Sequence, residues 1–382
     1  PEINLVKRPV GDVGREHMHY PLCETRKKTT VIDDLGPRGN PARPLKDEYQ
    51  IKIRSVTQHD TTQLAVAQHR EARLVTLGLT VAGYQLGTGD LDSLLDADDI
   101  DVVCVTTPSG AHAEVAVPAL EAGKHVFCEK PLEINVERID AMIEAATAHN
   151  RILAAVFPSR LGRGAQTMKK AIDAGRFGRL TLCSAYIKWW RTQQYYDEGG
   201  WHGTWALDGG GAMMNQAIHN VDLLQYLVGM PARIHAFAGA LAHERIEVED
   251  TLAASLQFES GALGVIECAT SCSPGYNRRI EVCGDRGSAI LEDDAIRRWD
   301  FVDEQPEDEA IRRGEADSEL KGGTSDPKVA SNEGHRLQIE DLVRAIRENR
   351  PPFIDGASGR RAVAIVRAAY ESARTGQVVE LV

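Results

Sequence analysis

The sequence has no long apolar run and no excess of positive charge. No stretch approaches the roughly 18 apolar residues that a membrane-spanning helix needs, and the N-terminus has no apolar signal-peptide core. Among 382 residues, 56 acidic and 44 basic side chains give a formal net charge of -12, which repels nucleic-acid backbones. We therefore expect a soluble cytoplasmic protein that binds neither membranes nor nucleic acids.

Paired cysteines and clustered metal ligands are also missing. The seven cysteines are odd in number and scattered, as expected for reduced thiols in the cytosol. Cys268 and Cys272 are the only close pair, and a lone C-x-x-x-C favours burial over zinc binding. We expect no bound metal, which disfavours a metal-dependent lyase or hydrolase.

An intact G-x-G-x-x-G motif, the phosphate-binding loop of dinucleotide-binding domains, is absent as well. Near the start, "INLVKRPVGDVGREH" places Gly11 and Gly14 at the second and third glycine positions but Pro9 at the first. A second alignment takes residues 64–75, "LAVAQHREARLV", as the first helix and second strand, yet the stretch directly before them, "SVTQHDTTQ", contains no glycine. At most one of these alignments can be the phosphate-binding motif.

Residues 101–131 contain a clear strand-helix-strand pattern. "DVVCVTTP" and "KHVFCEKP" are apolar strand-like runs, and "AHAEVAVPALEAG" between them has helical spacing. Such a unit has parallel strands, and ligands bind outside their carboxyl ends. Thr107 and Pro108 should therefore share one rim with the triplet Glu129-Lys130-Pro131. A lysine at the end of a buried strand requires a partner.

The pattern changes after residue 156. Successive strand-like stretches broken by Gly, Pro and Asp predict a largely antiparallel sheet. Helices are predicted at about 212–228, 334–347 and 357–375, and residues 303–332 are predicted to form a charged surface loop. Together with the length of the chain, this predicts two domains, residues 1–156 and 157–382.

The segment "DGGGAMMNQAIHNVDLLQYLVG" combines three glycines with a polar helix face. Asn215, His219 and Asp222 are spaced i, i+4 and i+7, so one face of a helix carries all three. A polar face is usually only solvated. Three glycines ahead of it favour a functional role, because bare backbone allows close approach of another segment or a ligand.

The rim sequence "TPSGAH", the triplet "EKP" and the "GGG…N…H..D" helix together resemble the glucose-fructose oxidoreductase and inositol dehydrogenase (Gfo/Idh/MocA) family over residues 90–382. The resemblance implies an N-terminal Rossmann domain and a C-terminal α+β domain with a large, open, mostly antiparallel sheet. It also implies a homo-oligomer, a dimer or tetramer, that assembles through this sheet. The implied activity is hydride transfer between NAD or NADP and a secondary hydroxyl of a sugar, cyclitol or nucleotide sugar.

The resemblance also implies roles for three catalytic residues. Lys130 reaches the reacting hydroxyl, and the Lys130-Pro131 bond can be cis. His219 hydrogen-bonds the same hydroxyl and takes its proton. Asn215 orients His219, but many family members have Asp there, and an amide cannot raise the basicity of the histidine. Members that act on nucleotide sugars resemble the Asn form, which slightly favours that substrate.

Further site residues follow from the same resemblance. The predicted cofactor-binding residues are Thr107, Pro108, Ser109, His112, Glu129 and Lys130. The predicted substrate-binding residues are Arg160, Asn215 and His219. His112 is equally compatible with a surface position at a helix start.

Residues 1–89 depart from the family pattern, which leaves two explanations open. One explanation is that a reading-frame disturbance in the coding DNA, restored near Asp90, replaced the expected sequence. Translation of the gene in another frame would then give a glycine-rich loop. Alternatively, the segment binds the dinucleotide in an unusual way or not at all. In the latter case the protein would be a catalytically silent sugar-binding or scaffold relative.

Overall fold

The computed structural model describes residues 74–77, 91–98, 100–198, 200–314 and 333–381. All of them belong to one compact unit, which extends from Glu48 to Val382. They form two separate β-sheets with helices packed against them. Within these ranges no helix is both long and apolar enough to cross a membrane.

The first sheet is parallel and has the strand order β1-β2-β3-β4. Its strands are β1 (Leu74–Leu77), β2 (Val102–Val105), β3 (His125–Cys128) and β4 (Leu153–Ala155). The residues of β2 are all buried, as expected for a parallel strand covered on both faces. Helices α1 (Leu91–Leu95), α2 (His112–Glu121) and α3 (Val136–Ala148) lie between the strands in sequence. The predicted strand-helix-strand unit is therefore confirmed.

The second sheet has eight strands in the order β11-β10-β9-β5-β8-β7-β6-β12. They are β5 (Leu180–Lys188), β6 (Pro231–Gly239), β7 (Thr251–Phe258), β8 (Leu263–Ala269), β9 (Arg279–Gly284), β10 (Gly287–Glu292), β11 (Ala295–Phe301) and β12 (Val379–Glu380). Neighbouring strands are antiparallel except for β5 and β8. The predicted largely antiparallel sheet is confirmed.

One face of the second sheet is covered by helices and the other is open. Side chains of β7 alternate between exposed and buried, which is the pattern of a strand with one covered face. The buried side chains join a core with α6 (Ile218–Val228) and α9 (Gly356–Thr375). The open face carries Leu182, Phe237 and Leu263, which are 50%, 72% and 55% exposed.

The remaining described helices are α4 (Arg163–Asp173), α5 (Gln193–Glu198), α7 (Asp308–Arg312) and α8 (Glu333–Glu348). The helix α7 lies within the predicted surface loop. It is anchored because Asp308 accepts hydrogen bonds from Arg176 and from the Trp299 indole. The rest of that loop, from residue 315 to 332, lies outside the described residues.

Helix α8 returns to the first sheet although it comes late in the sequence. Its residues Ile339 and Leu342 pack with Val102 and Phe127, and Gln338 donates a hydrogen bond to the carbonyl of Ala155. The parallel sheet is thus completed by the C-terminal part of the chain. The domain boundary at residue 156 stays a prediction.

Candidate functional site

The carboxyl ends of β2 and β3 meet at one edge of the parallel sheet, as predicted. Thr107 and Pro108 follow β2, and Glu129-Lys130-Pro131 follows β3. The Lys130-Pro131 peptide bond is cis. Lys130 therefore lies two residues after the end of β3, at the edge of the sheet.

Lys130 connects this edge to the helical segment after the three glycines. Its Nζ donates to the backbone carbonyl of Asn215 at 2.7 Å and to Oδ1 of the same residue at 3.3 Å. Burial lowers the pKa of Lys130, whereas the negative charges of Glu129 and Asp208 oppose that shift. An ammonium has three N–H donors, so two contacts to Asn215 leave one for a ligand.

The segment that carries Asn215 begins as a π-helix, Ala212–Ala217, and continues as α6. The prediction of one helix over 212–228 was thus right in extent and wrong in its first part. π-turns within helices are frequent at functional sites. Asn215 and Lys130 meet at this π-helix. Asn215 contacts Lys130, and the predicted contact that would orient His219 is not among the described hydrogen bonds.

Close packing around the glycines explains their presence. A Cβ on Gly210 would lie 2.2 Å from the Tyr370 hydroxyl oxygen, and one on Gly211 would lie 1.7 Å from the carbonyl oxygen of Glu249. The Glu249 carboxylate accepts hydrogen bonds from the backbone N–H groups of Gly211 and Met213 at 2.9 and 2.8 Å. Glu249 is buried, and its carboxylate caps the start of this segment.

His219 lies half-buried at the start of α6. Its Nδ1 is buried and has no hydrogen-bond partner in the described part of the chain. Burial lowers the pKa of His219 well below its usual value, and the positive charges of Lys130 and Arg278 lower it further. His219 is therefore neutral near pH 7 and within electrostatic reach of the Lys130 ammonium.

Arg160, a predicted substrate-binding residue, forms a buried ion pair with Asp222. Its Nε and Nη2 donate to the two carboxylate oxygens of Asp222 at 2.7 and 2.6 Å, and its Nη1 donates to Ser358 Oγ at 3.3 Å. Both partners of this ion pair are buried. These contacts connect Arg160 to α6 and α9, and its predicted contact with the substrate stays a prediction.

His112 connects the ends of the two strands. Its Nδ1 lies 2.9 Å from the carbonyl oxygen of Pro131, and its Nε2 lies 2.9 Å from that of Thr107. The ring is buried, which excludes the surface position, and both nitrogens face backbone oxygens. His112 thus connects the segments after β2 and β3, and its predicted contact with a cofactor stays a prediction.

The other predicted cofactor residues follow the ends of β2 and β3. Thr107, Pro108 and Ser109 are buried, and Thr107 Oγ1 has no hydrogen-bond partner among the described residues. Glu129 turns back and accepts from the backbone N–H of Lys130 at 3.3 Å. An unsatisfied buried hydroxyl at the carboxyl end of a parallel strand fits a polar ligand such as a nicotinamide dinucleotide. The candidate phosphate-binding glycines lie outside the described residues.

Two polar residues near the site were not predicted from the sequence. Asp208 accepts a hydrogen bond from Asn215 Nδ2 at 2.6 Å. His335 is buried near Lys130 and His219, and burial lowers the pKa of its ring. The sequence offered a signal for Asp208, which directly precedes the three glycines, but none for His335 in a helix far along the chain.

Comparison with known proteins matches both parts of the chain. Residues 10–157 match the family described as "Oxidoreductase family, NAD-binding Rossmann fold", and residues 165–290 match the "GFO/IDH/MocA C-terminal domain". The first match begins well before residue 90, so it includes most of the segment that departs from the expected glycine pattern.

Individual relatives agree with these matches. The WlbA dehydrogenase of Chromobacterium violaceum, solved with NADH and UDP-GlcNAcA, is 34% identical, with a TM-score of 0.70 over 78% of this chain and 82% of that one. The WlbA dehydrogenase of Bordetella pertussis, in the same kind of complex, is 33% identical, with a TM-score of 0.69 over 77% and 83%. The myo-inositol 2-dehydrogenase of Thermotoga maritima is 26% identical over 328 residues, which are 84% of this chain and 92% of that protein.

The edge formed by β2 and β3, the cis peptide after Lys130 and the glycine-led helix thus occur in a chain whose two parts match one family. The chain belongs to the Gfo/Idh/MocA family of NAD-dependent oxidoreductases.

Proposed function

We propose that this protein oxidises a secondary hydroxyl of a sugar-like substrate between Lys130 and His219. The proposal is supported chiefly by the position of Lys130, whose Nζ is held 2.7 Å from the Asn215 carbonyl and keeps one N–H free of described partners. A bound nicotinamide supplies the hydride acceptor in this chemistry. The comparisons give no support to a catalytically silent relative, since the relatives reported above are dehydrogenases.

In this proposal Lys130 binds the substrate oxygen. The remaining N–H of the ammonium donates to the reacting hydroxyl and stabilises the negative charge that develops as the oxygen loses its proton. Because burial already lowers the pKa of Lys130, the ammonium is less hydrated than a surface lysine and interacts more strongly with that charge.

His219 is the proposed proton acceptor. Its lowered pKa keeps the imidazole neutral, so a ring nitrogen can take the hydroxyl proton. Phe157 packs edge-on against the ring, with centroids 6.0 Å apart, and restricts its orientation. The positive charge of Lys130 disfavours a protonated His219, which promotes release of the proton after the reaction.

For the substrate class we propose a nucleotide sugar. Asn215 in place of the more common Asp supports this, as does the resemblance to WlbA dehydrogenases solved with UDP-GlcNAcA. Cyclitols are the second candidate, supported by the similarity to myo-inositol 2-dehydrogenase over most of the chain. For the coenzyme we propose NAD, because the matched family description names NAD.

The experiment is a turnover assay at 340 nm with NAD or NADP and a substrate panel: UDP-GlcNAcA, UDP-glucose, myo-inositol and levoglucosan. We expect reduction of NAD with a UDP-sugar and a loss of about 10²–10⁴-fold in kcat for Lys130→Met. Lys124→Met is the matched control, because Lys124 is a buried lysine just before β3 that donates to the Ala97 carbonyl at 2.7 Å. Full turnover in Lys130→Met would remove this lysine from the mechanism.

Cofactor binding is measured separately from turnover. NADH added to the purified protein should quench tryptophan emission and gain fluorescence, and it should bind more tightly than NADPH. Absence of both signals would support the silent relative instead.

We also propose that the open face of the eight-stranded sheet is the self-association surface. Leu182 and Leu263 are directly paired across β5 and β8, and Phe237 lies on the same face. An exposed apolar surface of this kind commonly marks a protein interface. Light scattering after size exclusion should show a dimer or tetramer that Leu263→Glu dissociates. A monomeric wild-type protein would contradict this assignment.

A further inference from the structure

The buried carboxylate of Asp208 is connected to Lys130 through one intervening residue, Asn215. Asp208 is 1% exposed. Its Oδ1 accepts from Asn215 Nδ2 at 2.6 Å, and its Oδ2 accepts from the Gly203 backbone N–H at 2.9 Å. Both carboxylate oxygens are therefore held in place, and one is directed at the residue that binds Lys130.

The resulting hydrogen-bond chain has a single direction. A carboxylate only accepts and an ammonium only donates, whereas an amide does both. Asn215 can therefore join Asp208 and Lys130 only with its NH₂ toward the carboxylate and its Oδ1 toward the ammonium. The opposite amide orientation would place NH₂ against the ammonium.

We propose that Asp208 is a positioning residue for the dehydrogenation: through Asn215 it fixes the Lys130 ammonium and supplies the negative charge that the site lacks at position 215. This inference rests on the function proposed above for Lys130. Many members of the family have a carboxylate at that position, whereas in this chain the nearest one lies a single hydrogen bond further back.

The charges around Lys130 explain why such a residue is needed. Burial and the positive charge of Arg191 lower the pKa of Lys130, and the negative charges of Glu129 and Asp208 oppose them. Without Asp208 the balance would shift toward a neutral amine, which cannot stabilise an alkoxide. The free amide of Asn215 would also lose the partner that fixes its orientation.

Asp208 should make the activity depend on pH near neutrality. Burial raises the pKa of its carboxyl to about 7. The Gly203 N–H, the Asn215 amide and the Lys130 ammonium lower this pKa, but burial has the larger effect. The phenols of Tyr195 and Tyr196 also face it. Below about pH 7 the carboxyl takes a proton and the negative charge is lost, so kcat/KM should fall on the acid side.

The test uses wild type, Asp208→Asn, Asn215→Asp and the double variant that exchanges the two residues. Asp208→Asn should lower kcat/KM about tenfold or more, the effect of losing one charge-assisted interaction. The exchange should recover kcat/KM to within about threefold of wild type, because the amide and the carboxylate still complement each other and the net charge is kept. Asn215→Asp alone places two carboxylates together, so its acid limb should move to higher pH.

A second readout does not require turnover. The rate at which Lys130 is acetylated, followed by peptide mass spectrometry over a range of pH, gives its apparent pKa. This pKa should fall in Asp208→Asn, because a negative charge that raises it is lost, and return in the exchange variant. Lys124 in the same samples should show no change and serves as the internal control.

The outcomes separate this inference from the proposed function. Wild-type kcat/KM with an unchanged Lys130 pKa in Asp208→Asn would overturn it, and so would an exchange variant that recovers neither. If no substrate is turned over but the Lys130 pKa moves as expected, the proposed function fails while the coupling of Asp208 to Lys130 stands. If Asp208→Asn does not fold, kcat/KM and the Lys130 pKa of the exchange variant are compared with those of Asn215→Asp, and this comparison decides the test.

Discussion

Two cations contact the helical segment 212–228, and they are held in different ways. Arg160 faces Asp222 directly, with two parallel hydrogen bonds of 2.7 and 2.6 Å, and its third nitrogen contacts Ser358. Lys130 meets no carboxylate directly within the described part of the chain. It donates to Asn215, which in turn donates to Asp208.

The difference shows what each cation can do. A bidentate guanidinium-carboxylate pair forms two parallel charge-assisted hydrogen bonds and is a rigid, neutral unit. An ammonium bound through an amide remains charged and keeps a donor for another molecule. Both arrangements belong to one short segment, so the type of pairing, rather than burial alone, separates the structural cation from the proposed catalytic one.

The largest expected effect is on stability, at the direct pair. Arg160→Met should lower the free energy of unfolding by about 3–5 kcal/mol, because it leaves the Asp222 carboxylate buried without a counter-ion. Lys130→Met should cost much less, since Asn215 and Asp208 keep each other as partners. Urea unfolding at pH 7.5 measures both. Equal losses would show that the two cations are held alike.

His219→Gln addresses the chemistry on the other side of the proposed reacting hydroxyl. It removes the proton acceptor but keeps a polar side chain of similar length, so kcat should fall about 10²-fold with NADH affinity unchanged. The fluorescence titration and the 340 nm assay measure the two quantities. A variant with normal kcat would assign the proton to another group, with the nearby His335 as the first candidate.

Thr107→Val tests the edge of the parallel sheet. Removing a buried hydroxyl that has no described partner should leave stability unchanged or slightly improved. NADH affinity should fall about five- to tenfold if that hydroxyl binds the cofactor, the value of one hydrogen bond. Thr107→Ser keeps the hydroxyl and should bind NADH normally. Equal affinity in all three proteins would place the cofactor away from Thr107.

The smallest expected effect concerns the acid that caps the π-helix. Burial raises the pKa of Glu249 to about 7, so the folded state holds this proton more tightly than the unfolded state. Its contribution to stability is therefore largest below about pH 4.5 and is lost as the pH rises through 7. The stability of Glu249→Gln relative to wild type should thus increase from pH 5 to pH 8. A constant difference between the two proteins would contradict the raised pKa.

Much of the fold was predictable because local patterns determine it. The apolar runs at Val102–Val105 and His125–Cys128, with a helical pattern between them, lead to parallel pairing. The edge that holds Lys130 follows directly from that topology. Strand alternation similarly gave the antiparallel sheet and its boundaries within a few residues.

The rest depended on contacts between distant residues. Arg160 and Asp222 are 62 residues apart, and nothing local indicates that they pair. In the sequence Glu249 is one of several acidic residues near a strand. Only the structure shows that its carboxylate accepts a hydrogen bond from the backbone N–H of Gly211. The contact of the Asn215 amide with Asp208 was not predicted for the same reason, and the role of Asn215 in orienting His219 stays a prediction.

The most direct measurement is single-turnover reduction of NAD, followed by stopped flow in wild type, Lys130→Met and Arg160→Met. The enzyme is in excess over a substrate that the wild type was found to oxidise in the 340 nm assay. In Lys130→Met the rate of hydride transfer should fall about 10²–10⁴-fold, while the stability of the protein stays nearly native. Arg160→Met should lose stability and keep most of its rate in the fraction that stays folded. An unchanged rate in Lys130→Met would contradict the proposed role of Lys130 in the reaction.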